Sequence, residues 1–404
     1  MPKAPAHKWT FKARFRRHAF GWRSQPAIKR VKEAVSEIKK EARKQPILAA
    51  EGAVAFLERL SPAIEQVDSS SGAIGSAVNK AIDQLVPIIA KADVGAATRR
   101  KWLDRLFEAY MDDGIPYIEA LGDRWGELCV DPDIASDQAD ELMDPTRRVL
   151  LTHREGRAFF KGSSVCLSAL FTAQRYDEIL ELTQVEDFWH YKSWAVKALV
   201  AQGKKAAAIR LAESCRSSWT PDLEVDRICE EVLLSSGMAD EAYRRYGLTA
   251  HRKGTHLATF RAVAKRYPDK AKEEILDDLV KASEVEPGKW FAAAKSAGLY
   301  DKALELVESS PCDPKTLTRA ARDFAEKKPH FAVGAGLAAM HWLLQGQYYE
   351  IMSSDVRQAF DETMRAATAA DVVAETEAKV REMVERDKGD RFVRPILRGC
   401  LGLS

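Results

Sequence analysis

Cysteine pairs are the first thing that this 404-residue sequence lacks. Its six cysteines never stand at CxxC or zinc-finger spacings, which disfavours a disulfide framework and a structural zinc site. Most of them fall in apolar helical patterns, where a free thiol is usually buried. We therefore expect a protein of the reducing cytoplasm that has no metal and no cofactor. The six are Cys129, Cys166, Cys215, Cys229, Cys312 and Cys400.

Long apolar runs are also missing. The longest uncharged apolar stretch, FAVGAGLAAMHWLL (331–344), is too short to cross a bilayer, so it predicts a buried helix and no membrane partner. No apolar segment typical of a secretory signal follows the basic start of the chain. A mitochondrial transit peptide is an alternative interpretation of that start. It is disfavoured because Ser24 is the single serine of the first thirty residues and a well-patterned helix follows.

Catalytic motifs are scarce as well, since no P-loop, nucleophile elbow or HExxH occurs. The stretch GAGLAA (334–339) has the letters of a dinucleotide-binding pattern, but no strand precedes it, so close helix packing is the better interpretation. His251 and His256 have no nearby acidic or thiol ligand in the sequence, which disfavours a metal site. Asp187 near His190 would suit acid–base chemistry, yet the surrounding aromatic residues favour a structural histidine.

Two other kinds of reactive group favour structural roles. Cys129 and Cys229 have no imidazole nearby in sequence to lower the thiol pKa. The paired carboxylates Glu230 and Glu231 diverge on a helix and predict a solvated face. We therefore predict no catalytic residue. An enzyme with a site assembled from distant helices, centred on His190 or Cys229, is kept as a third functional class.

Acidic residues are absent before Glu33, and the charge of the chain is unevenly distributed as a result. Residues 1–44 hold 14 Lys and Arg against three Glu, whereas the whole chain has 62 basic and 60 acidic residues. The remainder of the chain is therefore mildly acidic. A basic head on an acidic body indicates a polyanionic partner, or a head that lies on the body itself.

Helical periodicity is what the sequence has in abundance, and no segment alternates convincingly with the period of a strand. The segment 26–44 places Ile28, Val31, Val35, Ile38 and Ala42 on one face. Five pairs of a capping residue and a proline predict helix starts, because proline fits the first helical position. These pairs are Ser61-Pro62, Asp131-Pro132, Asp144-Pro145, Thr220-Pro221 and Asp313-Pro314. The predicted fold class is all-α.

A repeat of about thirty residues runs through the second half of the chain. Its predicted turns lie at Arg175, Gly203, Gly237, Pro268, Gly298 and Pro329. One helical hairpin of this size cannot bury its apolar face, whereas stacked hairpins can, so the repeat predicts a solenoid that resembles the tetratricopeptide class. The predicted organisation is a basic aromatic arm (1–24), an irregular helical region (25–160), the solenoid (161–386) and a C-terminal tail (387–404).

Four stretches suggest a family as well as a repeat class: FRRHAFGWR (15–23), SSGAIGSAVNKAI (70–82), DRWGELC (123–129) and the long segment 288–326. With them the chain resembles an uncharacterised bacterial family of tetratricopeptide-like helical-repeat proteins without an assigned function. The resemblance covers most of residues 10–350. It implies a tetratricopeptide-like fold and no catalytic residues.

The arm HKWTFKARFRRHAFGWR (7–23) combines six basic residues with five large aromatic ones. In one interpretation its cations neutralise phosphates while its rings stack on bases, each stack being worth about 1–3 kcal/mol. The helix that follows would extend this stripe through Lys39, Arg43 and Lys44. The candidate nucleic-acid-binding residues are Lys8, Lys12, Arg14, Arg16, Arg17, Arg23, Lys29, Arg30, Lys32, Lys40, Trp9 and Trp22.

In the other interpretation the arm docks on the helices of the chain. Five exposed rings would favour aggregation, so some must be buried. Phe11, Phe15 and Trp22 are spaced so that one short helix would bury all three, and we favour docking of at least part of the arm. The overall prediction is a non-catalytic scaffold that binds a protein or peptide partner in its groove. The alternative is a nucleic-acid-binding protein that uses the arm and the first helix.

Overall fold

The computed structural model describes residues 7–151, 159–217, 220, 222–386 and 390–403. Every regular element in these residues is helical, which confirms the all-α prediction. The chain divides into two compact units, unit 1 (Met1–Thr220) and unit 2 (Pro221–Ser404). This division falls inside the region that the sequence assigned to the solenoid.

Unit 1 has twelve helices in its described residues: α1 (Thr10–Arg14), α2 (Ser24–Ala42), α3 (Pro46–Ile64), α4 (Ala73–Ala90), α5 (Ala96–Met111), α6 (Ala120–Asp123), α7 (Trp125–Cys129), α8 (Pro132–Leu150), α9 (Gly162–Thr172), α10 (Tyr176–Leu182), α11 (Trp189–Ala201) and α12 (Lys205–Ser214). Helices α2, α3 and α4 pack on one another, and α1 lies on α2 and α3. Their apolar faces form one core with α5 to α11.

Helix α9 lies at the centre of the second half of unit 1. Residues 162–170 are all buried, because α6, α7, α8, α10 and α11 pack around this helix. Gly126 of α7 lets the two backbones approach closely, since its N–H donates to Ser168 Oγ at 3.0 Å. A Cβ at Gly126 would lie 2.3 Å from the Ser168 carbonyl oxygen. Only glycine fits at this crossing.

Unit 2 has eleven α-helices in its described residues: α13 (Asp222–Leu234), α14 (Ala239–Ala242), α15 (His256–Arg266), α16 (Lys272–Lys281), α17 (Phe291–Ala297), α18 (Tyr300–Glu308), α19 (Pro314–Phe324), α20 (Pro329–Leu344), α21 (Ser353–Ala370), α22 (Val373–Arg386) and α23 (Val393–Cys400). A π-helical turn (Tyr243–Gly247) continues α14, and a 3₁₀ turn (Pro287–Trp290) precedes α17. Most helices of this unit that are adjacent in sequence pack on each other, most extensively α19, α20 and α21.

Five of the six predicted turn positions of the repeat are confirmed. These five lie between consecutive helices, whereas Pro329 is the first residue of α20. Four turns share one geometry, in which a residue with positive φ ends the first helix and the next N–H donates to the carbonyl five residues back. The positive-φ residues are Gln174, Gly203, Gly237 and Gly298. The corresponding hydrogen bonds are Arg175 to Leu170, Lys204 to Leu199, Met238 to Leu233 and Leu299 to Ala294, all between 2.8 and 3.1 Å.

The predicted helix starts at capping residue and proline are confirmed in two places. Asp131 accepts hydrogen bonds from the second and third residues after it, at 2.8 and 3.2 Å, and Asp313 does the same at 3.3 and 3.0 Å. The predictions at Pro62 and Pro145 are wrong, because both prolines lie inside helices, α3 and α8. At Thr220-Pro221 the proline lies outside the described residues.

Within the predicted irregular helical region, α6 and α7 are short and are separated at Arg124. The C-terminal segment differs from the expected organisation. In place of the loosely attached tail expected from residue 387, residues 393–400 form α23, which packs on α21. Val393 and Leu397 are fully buried in that contact and extend the core of unit 2.

Candidate functional site: a cationic groove beside the docked arm

The aromatic residues of the arm dock on unit 1. Trp9, Phe11 and Phe15 are all buried. The ring of Phe56 on α3 receives two of them edge to face, with its centroid 5.4 Å from that of Phe11 and 4.9 Å from that of Phe15. Edge-to-face pairs add stability beyond the area that they bury. The first turn of the arm is therefore part of the core of unit 1.

Trp9 occupies a slot above Gly52 of α3. A Cβ at Gly52 would lie 2.3 Å from the ring of Trp9, so glycine is required for this contact. Trp9 was a candidate for stacking on nucleic acid. At 4% exposure its ring has no free face for a base.

Trp22 does not join the docked rings, so the expectation that one short helix buries Phe11, Phe15 and Trp22 is wrong. Helix α1 ends at Arg14, and the backbone turns at His18, which has a φ of 53°. The following residues run along the end of α3, where the His18 N–H donates to the Pro62 carbonyl at 2.8 Å. Trp22 is left 72% exposed.

The carboxylates of α2 serve the arm. Glu33 accepts hydrogen bonds from Arg14 at 2.9 Å and from Arg30 at 2.6 Å. The hydrogen bond from Arg30 holds the pKa of Glu33 below its usual range. Glu37 accepts from the Thr10 N–H at 2.8 Å and from its hydroxyl at 2.6 Å, at the start of α1. Two of the ten candidate cations, Arg14 and Arg30, thus form ion pairs inside the protein.

An acidic stripe of α2 results from this arrangement. Glu33, Glu37 and Glu41 are four residues apart and share one flank of the helix. The third of them accepts a hydrogen bond from Gln45 at 3.2 Å. Lys32, Lys39 and Lys40 of the same helix lie on the side toward α4.

A groove of about 540 Å³ lies between α2 and α4 and is the candidate functional site. We call it the cationic groove. The residues that line it are Val31, Lys32, Val35, Ser36, Lys39, Lys40, Arg43, Ala77, Lys80, Ala81 and Gln84. Positions 32, 36, 39 and 43 form the α2 wall, and positions 77, 80, 81 and 84 form the α4 wall. Within each wall the positions recur at helical spacing.

The charge of the groove is of one sign. No carboxylate lines it, and none of its five cations makes an ion pair with any described residue. Lys39 Nζ donates to Gln84 Oε1 at 3.0 Å across the two helices, which leaves its charge uncompensated. The floor is aliphatic, from Val31, Val35 and Ala81, and none of the described lining residues is aromatic. The arrangement favours a ligand with carboxylates or phosphates beside an apolar part.

Sequence reasoning found part of this groove. Among the twelve candidates, Lys32 and Lys40 line it, and Lys39 and Arg43 belonged to the wider predicted stripe. Lys80 was missed because its signal, a lysine on the same helical face as Ala77 and Ala81, has no meaning until α4 is placed beside α2. The other candidates are exposed outside the groove: Lys8, Lys12, Arg16, Arg17, Arg23, Lys29 and Trp22.

A second polar cluster in unit 1 joins Ser164 of α9, His190 of α11 and Asp123 of α6. Ser164 Oγ lies 2.8 Å from His190 Nε2, and Asp123 Oδ1 lies 3.3 Å from the same nitrogen. Burial raises the pKa of Asp123, while the charge of His190 acts to lower it. A nucleophile relay requires the hydroxyl and the carboxylate on opposite ring nitrogens. The cluster therefore has the residue types of a relay without its geometry.

Unit 2 contains a buried carboxylate that the sequence placed on a solvated face. Glu230 is 2% exposed and accepts a hydrogen bond from the Tyr267 hydroxyl at 2.6 Å. His251 Nε2 lies 2.8 Å from its other oxygen, so this histidine has the acidic neighbour that was not apparent in the sequence. His256 packs instead on Trp290, with ring centroids 4.7 Å apart. The two histidines thus serve separate contacts.

The cysteine thiols and the glycine-rich stretch that the sequence singled out lie in the interior. Burial raises the pKa of Cys129 to about 12 and that of Cys166 to about 11, so neither thiol forms a thiolate readily. The GAGLAA stretch lies inside α20, where a Cβ at Gly336 would meet Thr363 Oγ1 of α21 at 2.0 Å. Close helix packing, the predicted role of these glycines, is confirmed.

Within the described residues, no group of three or more metal-ligating side chains converges. None of the described helices combines the length and apolar character that a bilayer-spanning helix needs. No known protein family, curated protein or solved structure matches the chain.

Proposed function

We propose that this chain is a non-catalytic helical-repeat protein that binds an acidic segment of a partner protein in the cationic groove between α2 and α4. The observation that supports this most directly is a set of five cations around an aliphatic floor, with no carboxylate among the described residues that line the groove. The five positive charges repel one another. An anion that lies between them reduces this repulsion and is attracted by all five. The aliphatic floor adds burial of apolar surface to that attraction.

The same proposal includes a tetratricopeptide-like repeat and a reducing compartment. The shared geometry of the turns at 174, 203, 237 and 298 supports a series of similar hairpins, as in tetratricopeptide-like proteins, which commonly bind other proteins. Six free cysteines support a reducing compartment such as the cytoplasm.

The test of this function compares two variants with equal changes of charge. The groove variant carries Lys32→Glu, Lys40→Glu and Lys80→Glu, and the arm variant carries Lys12→Glu, Arg16→Glu and Arg17→Glu; all six side chains are exposed. The probe is fluorescent poly-glutamate of about twenty residues, titrated at low salt by anisotropy. We expect the groove variant to bind at least tenfold more weakly and the arm variant to bind within about threefold of the wild type. Equal binding by the groove variant and the wild type would refute the proposal.

Nucleic-acid binding by the arm is the second candidate function. It is favoured by five exposed arm cations that make no ion pair with a described residue, Lys8, Lys12, Arg16, Arg17 and Arg23, and by the exposed ring of Trp22. The burial of Trp9, Phe11 and Phe15 counts against it, because those rings cannot stack on bases. Labelled duplex and single-stranded DNA at two salt concentrations would decide. Binding that weakens steeply with salt and is lost in the arm variant would support this candidate.

A further inference from the structure

We propose that the occupant of the cationic groove is an amphipathic α-helix of the partner, with carboxylates along both edges of its apolar face. This inference rests on the proposed function, since it specifies which kind of acidic segment the groove binds. Three properties of the groove support the inference: the periodicity of its walls, the composition of its floor and the placement of charge on its two rims.

The walls have the periodicity of a helix on both sides. Along α2 the lining positions 32, 36, 39 and 43 follow the i, i+4, i+7, i+11 pattern and span roughly 16 Å, because each residue rises about 1.5 Å. Along α4 the positions 77, 80, 81 and 84 follow the same kind of pattern. A third helix can place its own i, i+3/i+4 and i+7 side chains into such a surface, as helices do when ridges pack into grooves.

The floor is built from small aliphatic side chains. Val31, Val35 and Ala81 are nearly fully buried, and the partly exposed Ala77 completes the α4 side. Their small size leaves the space above them for larger apolar side chains of a ligand. A uniformly acidic chain would leave this floor unused, whereas the leucine-rich face of an amphipathic helix would cover it.

The cations lie on both rims. Lys32 and Lys40 belong to α2 and Lys80 belongs to α4, so an apolar face lying between them has a positive charge on either side. A helix that carries carboxylates on both flanks of its apolar stripe matches this distribution. A helix with acid on one flank alone would satisfy one rim only.

Nucleic acid fits the groove less well. Single strands bind by stacking bases on aromatic side chains, and none of the described residues that line the groove is aromatic. A duplex presents phosphates along its backbone but has no apolar face that would cover the aliphatic floor. The groove therefore favours side chains from a protein helix.

The experiment uses the full chain and two synthetic peptides of about fifteen residues. The first places leucine at i, i+4, i+7 and i+11 with glutamate on both flanks, and the second has the same composition in scrambled order. Ser36→Trp fills the groove without changing its charge, since Ser36 is exposed on the α2 wall. We expect the patterned peptide to bind at least tenfold more tightly than the scrambled one, to gain helical circular dichroism on binding, and to lose at least tenfold in affinity with Ser36→Trp.

The outcomes separate this inference from the proposed function. If both peptides bind equally and the groove variant binds neither, the groove accepts acidic chains of any shape; the inference is then overturned and the proposed function stands. If a single-stranded oligonucleotide outcompetes the patterned peptide for the groove, the inference is overturned as well. If the groove variant binds both peptides as the wild type does, the inference and the proposed function fail together.

Discussion

Gly52 determines whether the arm can dock, because the ring of Trp9 lies where a side chain would begin. Gly52→Ala should raise the helical propensity of α3 by about 1 kcal/mol and yet destabilise the protein, since overpacking in a core costs about 1–3 kcal/mol. The expected result is a lower free energy of unfolding in urea together with faster chymotryptic cleavage in the arm.

A matched control for this prediction is Gly75→Ala in α4. A Cβ at Gly75 would meet no described residue within 4 Å outside its own stretch of helix, so the gain in helical propensity is expected without a clash. This variant should be more stable than the wild type by about 0.5–1 kcal/mol. Similar stability changes in the two variants would contradict the proposed slot for Trp9.

Asp113 gives the protein a pH dependence of known sign. Burial raises the pKa of this carboxyl, although hydrogen bonds from the Ser61 hydroxyl and the Ile118 N–H oppose the shift. As the pH rises above the ordinary Asp pKa of about 3.9, the unfolded chain releases this proton before the folded chain does. The contribution of Asp113 to the free energy of unfolding therefore falls as the pH rises through its folded pKa.

Asp113→Asn tests that sign, because the amide keeps the shape of the side chain but does not titrate. The variant should gain stability relative to the wild type as the pH is raised from about 4 toward neutrality, as measured by urea unfolding at each pH. Subtracting the two curves removes the contributions of the other carboxyl groups. A difference that stays constant over this range would show that Asp113 titrates as it does in the unfolded chain.

At the scale of the element, the two Asp-Pro pairs of α8 differ in their expected contribution to stability. Asp131 caps α8 through two backbone N–H groups, so Asp131→Ala should cost about 1 kcal/mol. Asp144 precedes Pro145 inside the same helix and is exposed, so Asp144→Ala should change stability by less than about 0.5 kcal/mol. Thermal unfolding of both variants checks the pair, and an equal loss at both positions would be inconsistent with these roles.

Local sequence cannot distinguish a proline that begins a helix from a proline inside one. A capping residue before proline is compatible with a helix start and also with a proline that the surrounding helix tolerates, and the two sequence patterns are identical. Tertiary packing selects between them: Pro62 lies in the last turn of α3, where carbonyl groups bond to the arm. The turns at Gly203, Gly237 and Gly298 were predictable because a residue with positive φ after a helix is most easily glycine.

The groove was only half predictable for a related reason. The amphipathic pattern of α2 placed Lys32 and Lys40 on its polar side, which follows from helical spacing alone. That α4 would lie against this side and contribute Lys80 depends on a contact between segments about forty residues apart. Likewise, helical spacing favoured burial of Trp22, whereas the slot that holds Trp9 exists only because Gly52 lies on α3.

At the scale of the whole molecule, the ligand should protect one unit. Every residue that lines the cationic groove belongs to unit 1. A peptide at about 100 times its Kd stabilises the state that binds it by about 2.7 kcal/mol. We therefore expect hydrogen exchange in α2, α3 and α4 to slow by up to about 100-fold, while amides in α13 to α23 exchange at unchanged rates.

The control for this measurement is the groove variant with the same peptide, for which no amide should slow. Protection of α19 to α21 in the wild type, where a smaller cleft is lined by Lys315, Arg319 and Arg322, would mean that the peptide binds in unit 2. In that cleft all three cations have carboxylates close by: Lys315 lies 3.4 Å from Asp355, Arg319 lies 3.9 Å from Asp313 and Arg322 lies 2.9 Å from Asp323. Unit 1 therefore remains the expected binding unit.

The acidic and basic flanks of α2 make its length critical. Successive residues on a helix are rotated by about 100°, so deleting one residue ahead of Lys32 would turn everything after it by that angle. Glu33, Glu37 and Glu41 would then stand where Lys32, Ser36 and Lys40 stand now, while Lys40 and Lys44 would replace Lys39 and Arg43. The groove would therefore lose its net positive charge. Helix α2 should therefore accept many substitutions on its surface but not a single insertion or deletion.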